Sequence, residues 1–272
     1  VVVVLLAVLQ ANADVLDMDA NCAAVEQAAG KAAAAGAQLL LTPELFPVGY
    51  APRRIRAELD PAVLPSLRRT LADIARRHGI GLVYSLPAVT AAGEWQITAT
   101  LLDETGAELL SYAKVHLFGP EERAAFAAAG AAPGVVDFHG VKTSLVICYD
   151  VEFPETVRAA AVRGAGLVLV PTALSEGFDA VPHVLVRARA LENRLTVAYA
   201  NHSGTEEGCD FLGGSVVAAP DGSLLAAAGA GDELLFARLE FAGLPEPAAD
   251  PGSGDVAYLR DLRPETYRSW GS

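Results

Sequence analysis

Cys148 closes the run Ser144-Leu145-Val146-Ile147 and is followed by Tyr149-Asp150 and a helix that opens at Pro154. A strand-to-helix elbow of this kind lifts a side chain above the carboxyl end of a strand, next to backbone N–H groups. The commoner fate of a free cysteine is a small apolar core residue, so position alone does not make it a nucleophile. A thiol with an ordinary pKa of about 8.5 needs a base or a neighbouring cation at neutral pH. Five histidines are available, His78, His116, His139, His183 and His202, and none sits in a local cysteine-protease signature. Two other groups stand at strand ends: Glu44 in Thr42-Pro43-Glu44-Leu45-Phe46 and Lys114 in Tyr112-Ala113-Lys114-Val115-His116. Each also has a plain structural reading. Glu44 can cap or pair with an arginine such as Arg53, and Lys114 can be a solvated strand-end lysine.

The elements that must position these residues follow from the apolar pattern. The first half reads strand (Val1 to Leu9), helix (about Asp19 to Ala35), strand (Gln38 to Leu41), helix (about Pro61 to His78) and strand (Ile80 to Tyr84). Such alternation implies parallel strands joined by helical crossovers. Two hairpins follow, Gln96 to Leu102 with Glu108 to Tyr112 and Val135 to Phe138 with Lys142 to Ile147. After Cys148 come helix (Pro154 to Arg163), strand (Gly166 to Val170), helix (about Val181 to Asn193), strand (Thr196 to Asn201) and a hairpin turning at Pro220-Asp221-Gly222. Two alpha/beta halves joined by hairpins suit an α/β fold of two mixed β-sheets packed face to face with outer helices, an αββα sandwich. No repeat or linker divides residues 1–272, so one domain is expected, with a tail from about residue 240.

At the three chemical positions the sequence resembles the nitrilase superfamily, the carbon–nitrogen hydrolases with a Glu, Lys and Cys set. The likeness rests on Pro43-Glu44 with Gly49-Tyr50, Lys114-Val115-His116-Leu117-Phe118, and Ile147-Cys148-Tyr149-Asp150 with Phe153-Pro154-Glu155. It continues through Val170-Pro171-Thr172-Ala173, Arg187 to Asn193, Asn201, Gly213-Gly214-Ser215 and Pro220-Asp221-Gly222. Within the superfamily it is most similar to bacterial amidases that include 5-aminopentanamidase, although Leu174 stands where Asn is common. The resemblance implies Glu44 as general base, Lys114 and the Tyr149 N–H as oxyanion donors, and Cys148 as nucleophile. It also implies a second glutamate, Glu121 or Glu122, with register favouring Glu122. Tyr50, Phe118, Tyr149, Glu152, Thr172 and Ala173 are expected around the substrate, and Arg189, Glu192 and Asn193 in support.

The function expected is hydrolysis of a small aliphatic amide, omega-amino amides included, to an acid and ammonia through a thioester, without cofactor or metal. The same residues also serve nitrile or N-carbamoyl hydrolysis. A cysteine–histidine hydrolase using His116 or His202 and a non-catalytic binding protein are the rival readings. The acids Glu152, Glu176, Asp179, Glu206, Glu207 and Asp210 are expected near the pocket mouth, where they would favour a cationic substrate. The resemblance further implies a homodimer or larger assembly, with tail residues Tyr258, Leu259, Tyr267 and Trp270 covering a partner.

Composition narrows the class. The chain has 272 residues, 52% hydrophobic and 19% charged, with 20 Lys plus Arg against 33 Asp plus Glu, a formal charge of -13. That apolar content supports a large core and argues against disorder. The acidic balance offers nucleic acid no broad basic surface. The apolar opening is shorter than the roughly 18 residues of a membrane span and has no basic residue before it. Three scattered cysteines, Cys22, Cys148 and Cys209, make neither a disulfide framework nor a zinc motif, so a reducing cytoplasm is expected. The opening valine leads to the expectation of a trimmed or processed N-terminus.

Overall fold

Long apolar runs become the centre of two sheets. In the computed structural model, which describes residues 1–241 and 257–270, the first half gives β1 (Val2–Gln10), α1 (Met18–Ala34), β2 (Leu39–Leu41), α2 (Pro52–Glu58), α3 (Leu64–His78), β3 (Gly81–Val89), β4 (Trp95–Leu102), β5 (Glu108–Ala113) and α4 (Gly119–Ala125). The second gives β6 (Val135–Phe138), β7 (Val141–Leu145), α5 (Pro154–Ala161), β8 (Leu167–Pro171), α6 (Val186–Asn193), β9 (Thr196–Ala200), the short pair β10 (Thr205–Glu206) and β11 (Cys209–Asp210), then β12 (Val216–Ala218), β13 (Leu224–Ala227), β14 (Glu233–Phe241) and α7 (Pro264–Ser269).

The strands form two six-stranded sheets, β14-β1-β2-β3-β4-β5 and β13-β12-β9-β8-β7-β6. In each, three neighbouring strands are parallel, β1 to β3 and β7 to β9, and the outer strands are antiparallel. The sheets meet face to face, with β1 against β9, β2 and β3 against β8, and β4 against β7. Helices α1 and α3 cover the first sheet, and α6 covers the second with α5 packed beside it. This is the αββα sandwich expected from the sequence. β2 and β8 are buried along their whole length, as strands covered on both faces must be.

Local chemistry sets the helix ends. Asp17 accepts a hydrogen bond from the Ala20 N–H at 3.0 Å and caps α1, which satisfies an otherwise orphaned donor. Helix α3 buries Leu67, Leu71, Ile74 and Ala75 on one stripe. It carries Arg76, Arg77 and His78 in its last turn, complementing the helix dipole, before Gly79 in left-handed conformation.

Several boundaries differ from the sequence reading. β3 continues beyond Tyr84 to Val89, and the stretch Val181–Leu185 is a wider π turn ahead of α6. Helices α2 and α4 are each 7 residues long, too short for a period of 3.6 to declare itself. β14 was not anticipated, yet its alternation buries Leu235, Ala237 and Leu239, and it pairs with β1 from Val2↔Phe241 to Gln10↔Glu233. The expected tail therefore begins with a strand, and residues 242–256 lie outside the described residues. Of the tail aromatics, Tyr258 lies under the Arg194 guanidinium at 5.9 Å, Leu259 packs on the core, Tyr267 contacts Trp270, and Trp270 is 72% exposed.

Candidate active site

The topology brings the three chemical positions to one end of the sandwich. Glu44 follows the carboxyl end of β2, and Cys148 follows that of β7. β4 runs antiparallel to β3 and β5 antiparallel to β4, so β5 regains the direction of β3 and delivers Lys114 to the same end. Open α/β sheets carry their sites at such strand ends.

Cys148 adopts φ 47°, a left-handed conformation that costs a non-glycine residue roughly 1–3 kcal/mol and that surrounding contacts must hold. Arg189, from α6, supplies them: its guanidinium donates to the Val151 carbonyl at 3.0 Å and the Glu152 carbonyl at 2.7 Å, and pairs with Glu192 at 3.0 Å. Asn193 donates to the Arg189 carbonyl at 2.9 Å. Asp150, buried on the same turn, accepts from the Tyr112 hydroxyl at 2.9 Å and the His116 N–H at 2.8 Å. That carboxylate ties the cysteine elbow to the segment bearing Lys114.

Lys114 is wholly buried between two carboxylates. Its Nζ donates to Glu44 Oε1 at 2.8 Å and to Glu122 Oε1 at 2.7 Å, and all three side chains are 0% exposed. Glu122 also accepts from the Tyr50 hydroxyl at 2.6 Å and the Phe118 N–H at 2.8 Å. Glu121, the other candidate, is exposed and pairs with Arg53 at 2.5 Å. Arg53 is thus not the partner of Glu44. Glu44 is fixed through its backbone N–H, which donates to the Thr172 carbonyl at 3.1 Å. Its Oε2 is buried with no hydrogen-bond partner, which leaves one acceptor free to take a proton.

Electrostatics follow from this crowding. Burial pushes the Glu44 carboxyl up to about 7, against the pull of Lys114. Burial and then the negative charge of Glu44 raise the Cys148 thiol, with Lys114 opposing. Burial works against the Lys114 charge, yet Glu44, Cys148 and Glu122 together raise its pKa well above that of an ordinary lysine. The arrangement therefore offers a fixed cation, a protonated thiol and a carboxylate able to exchange a proton near neutrality.

Phe118, Cys148, Glu152, Ala173, Leu174, Ser175 and Phe178 line a narrow pocket. Three of the residues expected around the substrate, Phe118, Glu152 and Ala173, are among them. Tyr50 instead turns its hydroxyl to Glu122, the Thr172 hydroxyl bonds the Tyr199 hydroxyl at 2.9 Å, and the Tyr149 ring sits edge-on to Phe118 and Phe153. Burial raises the pKa of Glu152, with Lys114 and Arg189 opposing. Of the acids expected at the mouth, only Glu152 lines the pocket. Glu206 is buried against His202, Glu207 pairs with Arg54, Asp210 accepts from Thr205 at 2.6 Å, and Glu176 and Asp179 are exposed.

Both rival histidine bases are committed elsewhere. His116 Nδ1 bonds Asp150 at 2.8 Å while its ring stacks on Phe153 at 3.8 Å. His202 Nδ1 bonds Glu206 and its Nε2 bonds the Glu44 carbonyl, each at 2.6 Å. The sequence reading missed Asp150 as a tie and Tyr50 as the partner of Glu122. An acid two residues beyond the cysteine, inside an apolar stretch, was the available signal for the first. Among the described residues no cluster of three or more His, Cys, Asp or Glu is placed to hold a metal ion, and no helix is long and apolar enough to cross a membrane.

The fold and this site define an α/β-sandwich hydrolase class with a cysteine, a lysine and paired glutamates. The carbon–nitrogen hydrolase profile matches residues 5–246, and the chain belongs to that family, within the nitrilase superfamily, as an enzyme acting on carbon–nitrogen bonds. It is 38% identical to the "Hydrolase in pqqF 5'region" of Pseudomonas protegens over 93% of this chain and 86% of the relative. It is 30% identical to the 2-oxoglutaramate amidase of Bacillus subtilis over 85% of this chain and 87% of the relative. Among solved structures, a mutant amidase from Nesterenkonia sp. AN1 superposes with a TM-score of 0.91 at 46% identity, covering 98% of this chain and 96% of that one. In that structure the acetamide moiety of fluoroacetamide is covalently added at the active-site cysteine. A double mutant of the same enzyme, in complex with acrylamide, matches equally well, with a TM-score of 0.91 at 46% identity, covering 98% and 97% of the two chains.

Proposed function

We propose that the protein is an amidase that converts a short aliphatic amide, with omega-amino amides preferred, to a carboxylic acid and ammonia through a Cys148 thioester. The observation that carries this reading is the buried Glu44–Lys114–Glu122 contact beside Cys148, with Glu44 Oε2 unpartnered. Glu44 accepts the thiol proton as Sγ bonds to the amide carbon. The oxyanion is held by the Lys114 ammonium and the Tyr149 N–H, where one donor is commonly worth about 2.7–4 kcal/mol. The intermediate collapses as Glu44 returns the proton to nitrogen, the C–N bond breaks and ammonia leaves. Water, deprotonated by Glu44 and oriented with Glu122, then attacks the thioester, and the C–S bond breaks as the thiol regains its proton. The short amides bound by the Nesterenkonia amidase support a small acyl group.

The preference rests on Glu152, the carboxylate lining an otherwise largely apolar pocket. A distal ammonium would relieve its burial, and one charge-assisted hydrogen bond is worth roughly 1.5–3 kcal/mol. A substrate carboxylate would meet like charge instead. Kinetics on 5-aminopentanamide, pentanamide and glutaramate test this: kcat/KM should fall about tenfold or more when the ammonium is removed. A preference for glutaramate overturns it. A cytoplasmic setting agrees with three free thiols. An assembly of at least two copies would cover Val162, Val184 and Leu191, which are exposed on and beside α5 and α6.

A further inference from the structure

We infer that His202 and Glu206 form a buried imidazolium–carboxylate pair that positions both glutamates of the site, Glu44 through its backbone carbonyl and Glu122 through Tyr50. The inference rests on the proposed role of Glu44 as the base, and it assigns His202 as a positioning residue.

Proton accounting gives the charge state. His202 Nε2 lies 2.6 Å from the Glu44 carbonyl, which only accepts, so Nε2 carries a proton. His202 Nδ1 lies 2.6 Å from Glu206 Oε1. Glu206 also accepts two backbone N–H groups, from Ala13 at 3.1 Å on Oε1 and from Tyr50 at 2.7 Å on Oε2. A carboxylate receiving several N–H donors is held ionised, so the shared proton belongs to Nδ1 and the ring is doubly protonated. His202 is 0% and Glu206 2% exposed, so neither charge can turn to water for solvation. Burial works against the imidazolium, yet Glu206 raises the His202 pKa, and burial works against the carboxylate, yet His202 lowers that of Glu206.

The pair acts on the site through two hydrogen-bonded paths. On one side His202 holds the carbonyl of Glu44 while the Thr172 carbonyl holds its N–H at 3.1 Å, so both peptide groups of this residue are clamped. On the other, Glu206 holds the Tyr50 N–H and the Tyr50 hydroxyl holds Glu122 Oε1 at 2.6 Å. Gly49, at φ 74°, lets the chain just ahead of Tyr50 pass close to Val15, where a Cβ would stand 2.7 Å from Val15 Cα. Phe46 and Phe211 flank the His202 ring, with centroids at 5.7 and 4.9 Å. The titratable groups facing the pair are Glu44 and Tyr50 from the segment after β2 and Cys209, paired with Glu206 across β10 and β11. The imidazolium beside Glu44 favours its ionised form, the one that accepts a proton.

Nitrogen-15 NMR of histidine-labelled wild-type enzyme reads the charge state without depending on turnover. The His202 signals, identified by their absence in His202→Gln, should show both ring nitrogens protonated at about pH 8, where an ordinary histidine is neutral. A neutral tautomer there overturns the inference. In His202→Gln with wild-type near-UV circular dichroism, kcat should fall about tenfold or more with KM changed far less, and the acid limb of the pH profile should move upward. An unmoved limb with unchanged kcat also overturns it. Should His202→Gln fail to fold, Glu206→Gln identifies the same signals by shifting them toward the neutral form. Activity surviving in Cys148→Ala would count against the proposed hydrolytic mechanism and leave the NMR result standing.

Discussion

Lys114 and Glu44 touch at 2.8 Å in a place water does not reach, both side chains being 0% exposed. A buried ammonium between two carboxylates is costly to desolvate, and removing one member leaves the others uncompensated. The contact leaves the second oxygen of Glu44 unpartnered, and in the proposed mechanism it fixes a cation where negative charge develops.

Lys114→Ala should therefore lower kcat by roughly 100- to 1,000-fold, the usual cost of an oxyanion donor. It should also lower the thermal midpoint, because two buried carboxylates lose their counterion. Steady-state kinetics with thermal denaturation of the same sample check both. Near-normal kcat in the variant would remove Lys114 from the chemistry.

The pH dependence follows from Glu44, whose carboxyl burial raises to about 7. In the proposed mechanism only the ionised form accepts the thiol proton, so kcat/KM should fall as pH drops through about 7. The Cys148 thiol and Lys114 are both raised, so no loss is expected just above neutrality. A pH profile of kcat/KM measures this directly. A flat profile between about pH 5 and 8 would contradict it.

How much of this was legible in the sequence depends on the distance over which each residue acts. The strands before Glu44, Lys114 and Cys148 are local apolar runs, so the α/β sandwich and the strand-end placement could be read directly. Glu122 was favoured over Glu121 by register, and the structure separates them by burial: one faces Lys114, the other faces Arg53 and solvent. Glu206 was misplaced at the pocket mouth because its partner His202 lies one helical turn away in sequence, but the two short strands β10 and β11 fold it inward. The link from Tyr50 to Glu122 spans 72 residues, and no local pattern announces it.

Arg189 should matter through shape. Its guanidinium reaches two carbonyls of the turn after Cys148, at 3.0 and 2.7 Å, a fork that lysine cannot reproduce. Arg189→Lys should cut kcat by about tenfold while leaving the thermal midpoint within a few degrees, and Arg189→Ala should cost more in both. Equal activity of the lysine variant would show that charge alone suffices.

Assembly is checked by light scattering at micromolar concentration. The exposed Trp270, at 72%, and the apolar residues of α5 and α6 predict a species of at least twice 28.2 kDa. A single 28.2 kDa species would reject the dimer.

The central claim is that Cys148 carries the acyl group. Acid-quenched enzyme taken during turnover of a short amide, analysed by intact mass and peptide mapping, should show the acyl increment on the Cys148 peptide, and Cys148→Ala should show neither adduct nor turnover. Turnover that survives in Cys148→Ala would contradict the account.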